Sequence, residues 1–102
     1  MRIIEVDASG CNAPLDFASE LKLALGSPDW HGTNAVAFVD SMVAGGVNVL
    51  KPPYIIKVIN TGDLRPEVIE FIREVSYLVE DTRIRRLART GENVAVRLEI
   101  VN

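Results

Sequence analysis

Short β-type segments alternate with helical segments along the chain, and this alternation is the feature that most constrains the fold. Arg2 to Asp7 and Tyr54 to Ile59 are rich in β-branched residues, and residues 93–101 alternate apolar with polar side chains. Helical spacing dominates the segments between them. Parallel strands need helical crossovers, so the order β, α, α, β, α, β predicts one α/β domain over residues 1–102 with a three-stranded parallel sheet.

The second strand segment, YIIKVI, is almost continuously apolar. This pattern is typical of a strand that neighbouring elements cover, so we place it at the centre of the sheet. The predicted strand order is therefore 1-2-3. Right-handed crossovers that move in one direction place their helices on the same face, which predicts a two-layer fold with the helices packed mainly on one side.

Capping and breaking residues predict the bounds of the first two helices. The first should begin after the capping residue Asn12 and stop at Gly26. The second should be capped by Thr33 or Asn34 and continue to about Ala44, before a pair of glycines. These bounds leave a loop between the helices and a second loop before the central strand.

The third helical segment is the longest. It should begin at Pro66, which is favoured in the first turn of a helix. Ile84 and Leu87 lie away from the apolar face that the earlier residues define, so we expect a break near Asp81-Thr82 and a short extra turn that closes at Thr90-Gly91.

The chain has one histidine and one cysteine, and this narrows the chemistry it can carry out. A Cys/His zinc site is excluded, and a nucleophile with a histidine base would have to use His31. We therefore expect no metal, no cofactor and no catalytic residues. A lone Cys11 indicates a reducing compartment such as the cytoplasm, and no apolar run approaches the length of a signal peptide core or a membrane span.

The net charge of −3 is distributed unevenly. Residues 1–40 carry two basic and six acidic side chains, so the acidic excess lies in that part of the chain. A basic run lies near the other end: Arg83, Arg85, Arg86 and Arg89. Acidic residues flank the run and no aromatic residues interleave with it, which favours an ion-paired surface over a nucleic-acid site.

The second helix has an unusual outer face. Its side chains Ala35, Phe38, Val39 and Met42 should pack on the sheet. The remaining arc has a single charge, Asp40, among small or apolar neighbours, namely Val36, Ala37, Ser41, Val43 and Ala44. A surface helix normally carries several charges there, so this face is a candidate contact surface. The alternative is a helix covered by the rest of the fold or by self-association.

The loop before this helix, PDWHGTN, places Trp30 beside His31. Loops on a rigid scaffold often carry binding groups, and tryptophan is a common interface anchor. Two readings remain open for each residue. Trp30 either contacts a partner or plugs the end of the core, and His31 either contacts a partner or is a hydrogen-bonded loop residue.

The stretch LKLALGSPDWHGTNAVAFVDSM, residues 21–42, resembles the signature region of the barstar family of ribonuclease inhibitors. In that family a helix leads to a proline-bearing loop with paired aromatic residues, then to Gly-x-Asn and the binding helix. The matching positions are Pro28, Trp30 and His31 in place of the aromatic pair, Gly32, Asn34, Ala37 and Asp40. The order of helices and strands also agrees with the barstar fold.

The resemblance implies a mechanism without catalysis. A ribonuclease active site is basic because it holds phosphate, and an inhibitor can block it with a carboxylate. By matched position Asp40 would replace the phosphate, while the preceding loop shapes the contact; Asp29 is added for its charge and location. Val36 stands where the family has a second acid. The expected partner-binding residues are Asp29, Trp30, His31, Gly32, Asn34, Val36, Ala37 and Asp40.

Two other functions stay open from the sequence. The chain could be a non-catalytic interaction or self-association module with no nuclease target, or an enzyme that uses His31 with Asp29 or Asp40. We expect a protein partner, no direct contact with nucleic acid or membrane, and a monomer or weak homodimer.

Overall fold

The alternating segments form three strands and three helices in the computed structural model, which describes residues 1–101. In chain order these are β1 (Arg2–Asp7), α1 (Pro14–Leu25), α2 (Ala35–Ala44), β2 (Tyr54–Ile59), α3 (Pro66–Thr90) and β3 (Val96–Ile100). The strands are parallel in the order β1-β2-β3, with Ile4, Ile56 and Leu98 side by side. The predicted α/β fold and strand order are confirmed.

One face of the sheet is buried and the other is open. Val6, Ile56 and Leu98 lie on the buried face and join the hydrophobic core. Ile55 and Lys57 point to the opposite face, where they are half-buried beside the exposed Ile3. Apolar residues therefore occur on both faces of β2, but the helices cover one of them. The apolar run of β2 reflects its central position between two strands, and the helices pack mainly on one face, as the predicted two-layer fold requires.

The helices pack over the buried face and against one another. α1 contacts β1, and α3 contacts β3 and α1. Phe17 of α1 and Phe71 of α3 meet edge to face, with ring centroids 6.2 Å apart. The backbone of α2 lies against α3, whereas we expected α2 on the sheet. Its side chains Phe38 and Met42 nevertheless join the same core. No helix in residues 1–101 is long and apolar enough to span a membrane.

Side-chain caps fix the beginnings of α1 and α2. Asn34, one of the two predicted caps of α2, is the residue that caps it, since its Oδ1 accepts the backbone N–H of Ala37 at 2.8 Å. The predicted cap Asn12 of α1 was wrong. The Asp16 carboxylate instead accepts the backbone N–H groups of Asn12 at 2.8 Å and Ala13 at 3.1 Å. A charged acceptor in the first turn also interacts favourably with the helix dipole, which explains why it replaces an amide cap.

The third helix is continuous to Thr90, so the predicted break near Asp81-Thr82 was wrong. Ion pairs span the position of the expected break. Arg83 pairs with Glu80 at 2.6 Å, and Arg85 pairs with Asp81 at 3.0 Å. Pairs three and four residues apart stabilise a helix even after its apolar face has ended. Gly91, in the left-handed conformation, ends the helix.

The last strand begins at Val96, three residues later than the predicted start at Asn93. The backbone N–H of Val96 donates to the carbonyl of Val94 at 3.0 Å, a tight turn just before the strand. The carbonyl of Ala95 accepts the N–H of Tyr54 and connects this turn to β2. The alternation of apolar and polar residues continues through this turn, so the alternation does not mark where the strand begins.

Candidate protein-binding site

The site is built where two loops meet at the end of α1. That helix ends at Gly26, whose φ of 65° is in the left-handed region. The carbonyl of Gly26 accepts the backbone N–H of Val49 at 3.1 Å, and Leu25 does the same for Leu50 at 3.0 Å. A Cβ on Gly26 would lie 2.7 Å from the Cβ of Val49. Glycine is therefore required both by the backbone conformation and by the close approach of the second loop.

Lys22 holds the first loop against α1. Its Nζ donates to the carbonyls of Asp29 and His31, each at 3.3 Å. The backbone N–H of His31 donates to the carbonyl of Pro28 at 3.0 Å, which closes a turn inside the loop. The loop that carries Trp30 is thus anchored on both sides of the indole.

A buried polar network joins both loops to α2. Nε2 of His31 lies 2.8 Å from Oγ of Ser41, which also accepts the Nδ2 amide of Asn48 at 3.1 Å. The Oδ1 of Asn48 accepts the hydroxyl of Ser27 at 2.6 Å. His31, Ser41 and Asn48 are all buried. Buried polar groups are costly when unpaired, so these bonds fix the relative positions of the two loops and the helix.

His31 is a hydrogen-bonded loop residue, in line with one of the two readings left open by the sequence. Its side chain is 6% exposed and its ring lies on Phe38, with centroids 5.1 Å apart. Nδ1 lies 2.5 Å from the carbonyl of Gly32.

The contact between Ser41 and His31 has the spacing of a nucleophile and its base. However, Oγ of Ser41 accepts the amide of Asn48 and lies 3.1 Å from the carbonyl of Phe38, to which it can donate. Ser41 also lies inside α2, where backbone N–H groups are bonded within the helix and cannot stabilise an oxyanion. This environment favours a structural role for the pair.

Trp30 is 74% exposed and does not plug the core. It borders a pocket of about 290 Å³ whose other lining residues are His31, Gly32, Ala37, Asp40, Ser41, Gly45 and Val47. The pocket lining includes the small residues Gly32, Ala37 and Gly45. A Cβ on Gly32 would lie 3.1 Å from the Cβ of Ala37, so the loop passes tightly over the first turn of α2. The pocket therefore has an exposed indole on one side and α2 on the other.

Asp40 is the acidic residue of this pocket, and it is exposed. Within residues 1–101 its carboxylate forms no hydrogen bond or ion pair. Its surroundings are apolar: Val36, one turn earlier on α2, is 61% exposed, and Val47 lines the same pocket. The site thus presents one uncompensated negative charge on an apolar surface.

The structure brings five of the eight sequence-predicted residues together around the pocket: Trp30, His31, Gly32, Ala37 and Asp40. The other three lie outside its lining. Asp29 is exposed in the loop, Val36 is exposed on α2, and Asn34 caps the helix. The outer arc of α2 is narrower than expected, because Ser41 and Val43 are buried.

Sequence reasoning missed the residues that support the pocket from the second loop. Asn48 and Ser27 hold the loops together, and Gly45 and Val47 complete the lining. The one available signal was Asn48 itself, a polar residue between Val47 and Val49. Its partner Ser41 gave no signal, since its position on the helical wheel suggested a solvent-facing hydroxyl.

The described residues contain no group of three histidine, cysteine or acidic side chains placed to hold a metal ion. No protein-family profile matches the chain, and no curated protein shows a significant match to it.

Proposed function

We propose that the chain is a barstar-like inhibitor that acts in the cytoplasm, where it binds a ribonuclease or a related toxin and blocks its basic active site. The observation that carries this proposal is Asp40, an exposed carboxylate without a partner in the described chain, placed at a pocket beside an exposed tryptophan. The resemblance of residues 21–42 to the barstar signature implies the class of partner.

The chemistry of such a partner suits this surface. An active site that binds phosphate presents arginine, lysine and histidine side chains, and these form short charge-assisted hydrogen bonds with a carboxylate. Asp40 forms no ion pair within the described chain, so no such pair has to break before its carboxylate binds a cation of the partner. Trp30 adds a large apolar surface and a ring face that attracts cations.

The apolar neighbours of Asp40 determine the character of the interface. Val36 occupies the position of the family's second acid and is exposed, and Val47 lines the pocket. Burial of these side chains favours association without further charge pairs. We infer an interface with one central carboxylate surrounded by apolar contacts, which is less charged than that of the family it resembles.

The buried network prepares this surface for binding. Ser27, Asn48, Ser41 and His31 fix the loops through hydrogen bonds, so the loops lose little freedom when a partner docks. Ordering of mobile loops opposes association, and a loop that is already ordered avoids that loss. This explains how a single carboxylate can support useful affinity.

Inhibition kinetics test the proposal. The purified chain is titrated into a panel of secreted ribonucleases with basic active sites while cleavage of a fluorescent RNA is followed. We expect inhibition that is competitive with RNA and that weakens as salt rises, because charge attraction contributes to the encounter. Absence of inhibition across the panel, or inhibition that RNA does not relieve, would contradict an active-site inhibitor.

A second candidate function is a non-catalytic module that self-associates through the same surface. The exposed apolar side chains Trp30, Val36 and Val47 favour it, since contiguous apolar surface often marks a protein interface. Sedimentation at micromolar concentration separates the two functions. A stable homodimer that Val36→Asp dissociates would favour the module, whereas a chain whose mass this substitution leaves unchanged would favour the inhibitor.

A further inference from the structure

The hydroxyl of Ser41, at the centre of the buried network, has two acceptors within reach. Its Oγ lies 2.8 Å from Nε2 of His31 and 3.1 Å from the carbonyl of Phe38. A hydroxyl has one proton, so it donates to one of these two acceptors at a time. In either case its oxygen accepts the Nδ2 amide of Asn48 at 3.1 Å. The network therefore has two hydrogen-bonded arrangements with the same heavy-atom positions.

The two arrangements suit two charge states of the His31 ring. When Nε2 is unprotonated, the hydroxyl of Ser41 can donate to it. A protonated ring donates from both nitrogens. Its Nδ1 then faces the carbonyl of Gly32 at 2.5 Å, and its Nε2 faces Oγ of Ser41, whose own proton turns to the carbonyl of Phe38. Both nitrogens of the charged ring thus have an acceptor without any movement of the backbone.

The charged groups around this ring come from α1, the first loop and α2. Lys22 of α1 donates to the carbonyls of Asp29 and His31, and Asp29 is exposed in the loop. Asp40 is the one charged residue of α2, and it lines the same pocket as His31. Residues 45–50 of the second loop contain no charged side chain. Asp40 and His31 are therefore the two ionisable side chains of the pocket lining.

We propose that His31 is a protonation switch for this pocket, which carries one negative charge when the ring is neutral and no net charge when the ring is protonated. Histidine is the side chain that ordinarily changes its charge between pH 5 and 8, a range in which carboxylates are ordinarily ionised. The surface then attracts a cationic group at neutral pH and loses that attraction in acid. Release of a ribonuclease in acid rests on the proposed function, whereas the change of charge at the pocket does not.

Trp30 can report the charge of the pocket, because it is the single tryptophan of the chain, lines the pocket and is exposed. Its fluorescence in the free chain is quenched with iodide, an anion, and with caesium, a cation, at constant ionic strength. A new positive charge attracts iodide and repels caesium. We expect the ratio of the iodide to the caesium quenching constant to rise about twofold or more between about pH 8 and about pH 5. Acrylamide, which is neutral, measures any change in the exposure of the indole.

His31→Gln is the matched control, since glutamine keeps a polar group near Ser41 and has no charge at either pH. The chain has no other histidine, so the quenching ratio of this variant should stay constant. The single imidazole signal in the proton NMR spectrum of the wild-type chain follows the titration directly, whether or not the variant folds. A wild-type ratio that stays constant, a rise that His31→Gln retains, or an imidazole that does not titrate between about pH 8 and about pH 5 would overturn the proposal.

Inhibition of a ribonuclease tests the consequence for binding. Groups of the nuclease also titrate, so the quantity to follow is the inhibition constant of wild type divided by that of His31→Gln, in which the contribution of the nuclease cancels. This quotient should rise about tenfold from about pH 8 to about pH 5. A constant quotient beside a changed quenching ratio would overturn the control of binding by His31. Absence of inhibition by both proteins at every pH would contradict the proposed function, and the quenching ratio would still decide whether His31 switches the charge of the pocket.

Discussion

Asp40 of α2 and Asp81 of α3 are acidic residues with opposite surroundings. Asp40 of α2 has no partner within the described chain, and its neighbours are apolar. Asp81 of α3 is held by Arg85 at 3.0 Å. The two residues share a side-chain type and a helical position on the surface, so their difference lies in their surroundings. A carboxylate is available to another protein when its own helix supplies no cation.

The hydrogen bonds of the two regions differ as much as their charges. Around α2 the polar contacts are buried and connect two loops to the helix through Ser41 and Asn48. On α3 the contacts are ion pairs at the surface, and they stabilise the end of one helix. Buried networks define geometry, whereas surface ion pairs contribute little and are easily replaced. The buried hydrogen bonds around α2 therefore fix the relative positions of this helix and the two loops.

The exposed aromatic residues provide the sharpest test of this contrast. Trp30 and Tyr77 are 74% and 70% exposed, so we expect either substitution by alanine to change the free energy of unfolding by less than about 0.5 kcal/mol. Trp30→Ala should weaken inhibition of a ribonuclease by about 2 kcal/mol or more, roughly 30-fold, as expected for an interface anchor. Tyr77→Ala should leave inhibition unchanged. Equal inhibition by both variants would remove Trp30 from the binding surface.

Substitution of the glycines that end α1 and α3 compares how tightly the two helix ends are packed. Gly26 and Gly91 both have positive φ, but only Gly26 has a neighbour at 2.7 Å, the Cβ of Val49. Gly91→Ala should destabilise the fold by about 1 kcal/mol, the cost of the left-handed conformation. Gly26→Ala should cost about 2 kcal/mol, since the second loop must also move. Urea unfolding measures both, and equal losses would show that the loop is not packed on α1.

The polar contacts themselves can be compared by removing one group from each region. Asn48→Ala removes the acceptor of the Ser27 hydroxyl and one of the hydrogen bonds of Ser41, and it should destabilise the fold by about 1 to 2 kcal/mol. Arg85→Ala breaks an exposed ion pair and should cost about 0.3 kcal/mol. Chemical denaturation distinguishes the two values. A loss from Asn48→Ala as small as that from Arg85→Ala would mean that solvent replaces the network.

The smallest expected effect is the pH dependence of the α3 ion pairs. A hydrogen bond from Arg83 lowers the pKa of Glu80 from its usual value. The folded state thus binds this proton less readily than the unfolded state, so the stabilisation is present at neutral pH and is lost as pH falls through the acidic range. Glu80→Gln should be less stable than wild type by about 0.3 kcal/mol at pH 7. Denaturation at several pH values should show the difference vanishing in acid; a constant difference would contradict this origin.

Much of the fold could be predicted from the sequence because local signals and tertiary packing agree. The bounds of β1 and β2 match the β-branched segments, and Asn34 caps α2 as its position suggested. The prediction failed at Asp81, where ion pairs carry α3 past the end of its apolar face. Hydrophobic periodicity shows which face of a helix is buried. It gives no signal for a helical segment that ion pairs stabilise at the surface.

The site was predicted less completely than the fold. Trp30 and Asp40 were identified by their residue types and their neighbours along the chain, and the structure places both at one pocket. The residues that support the pocket lie partly in the second loop, where Asn48 bonds Ser27, 21 residues earlier, and Ser41, seven residues earlier. Hydrogen bonds between distant residues leave no periodic pattern, so they become visible when the loops are placed in space.

The central claim is that Asp40 acts on a partner because its own helix leaves it unpaired, and two matched substitutions test it most directly. Asp40→Asn and Asp81→Asn each remove one surface carboxylate, and both are compared with wild type for inhibition of the same ribonuclease. We expect the inhibition constant to rise by at least about 30-fold for Asp40→Asn, since one partner of a buried charge pair is lost, and by less than about twofold for Asp81→Asn. Inhibition by Asp40→Asn that equals wild type, with the fold intact, would contradict the account.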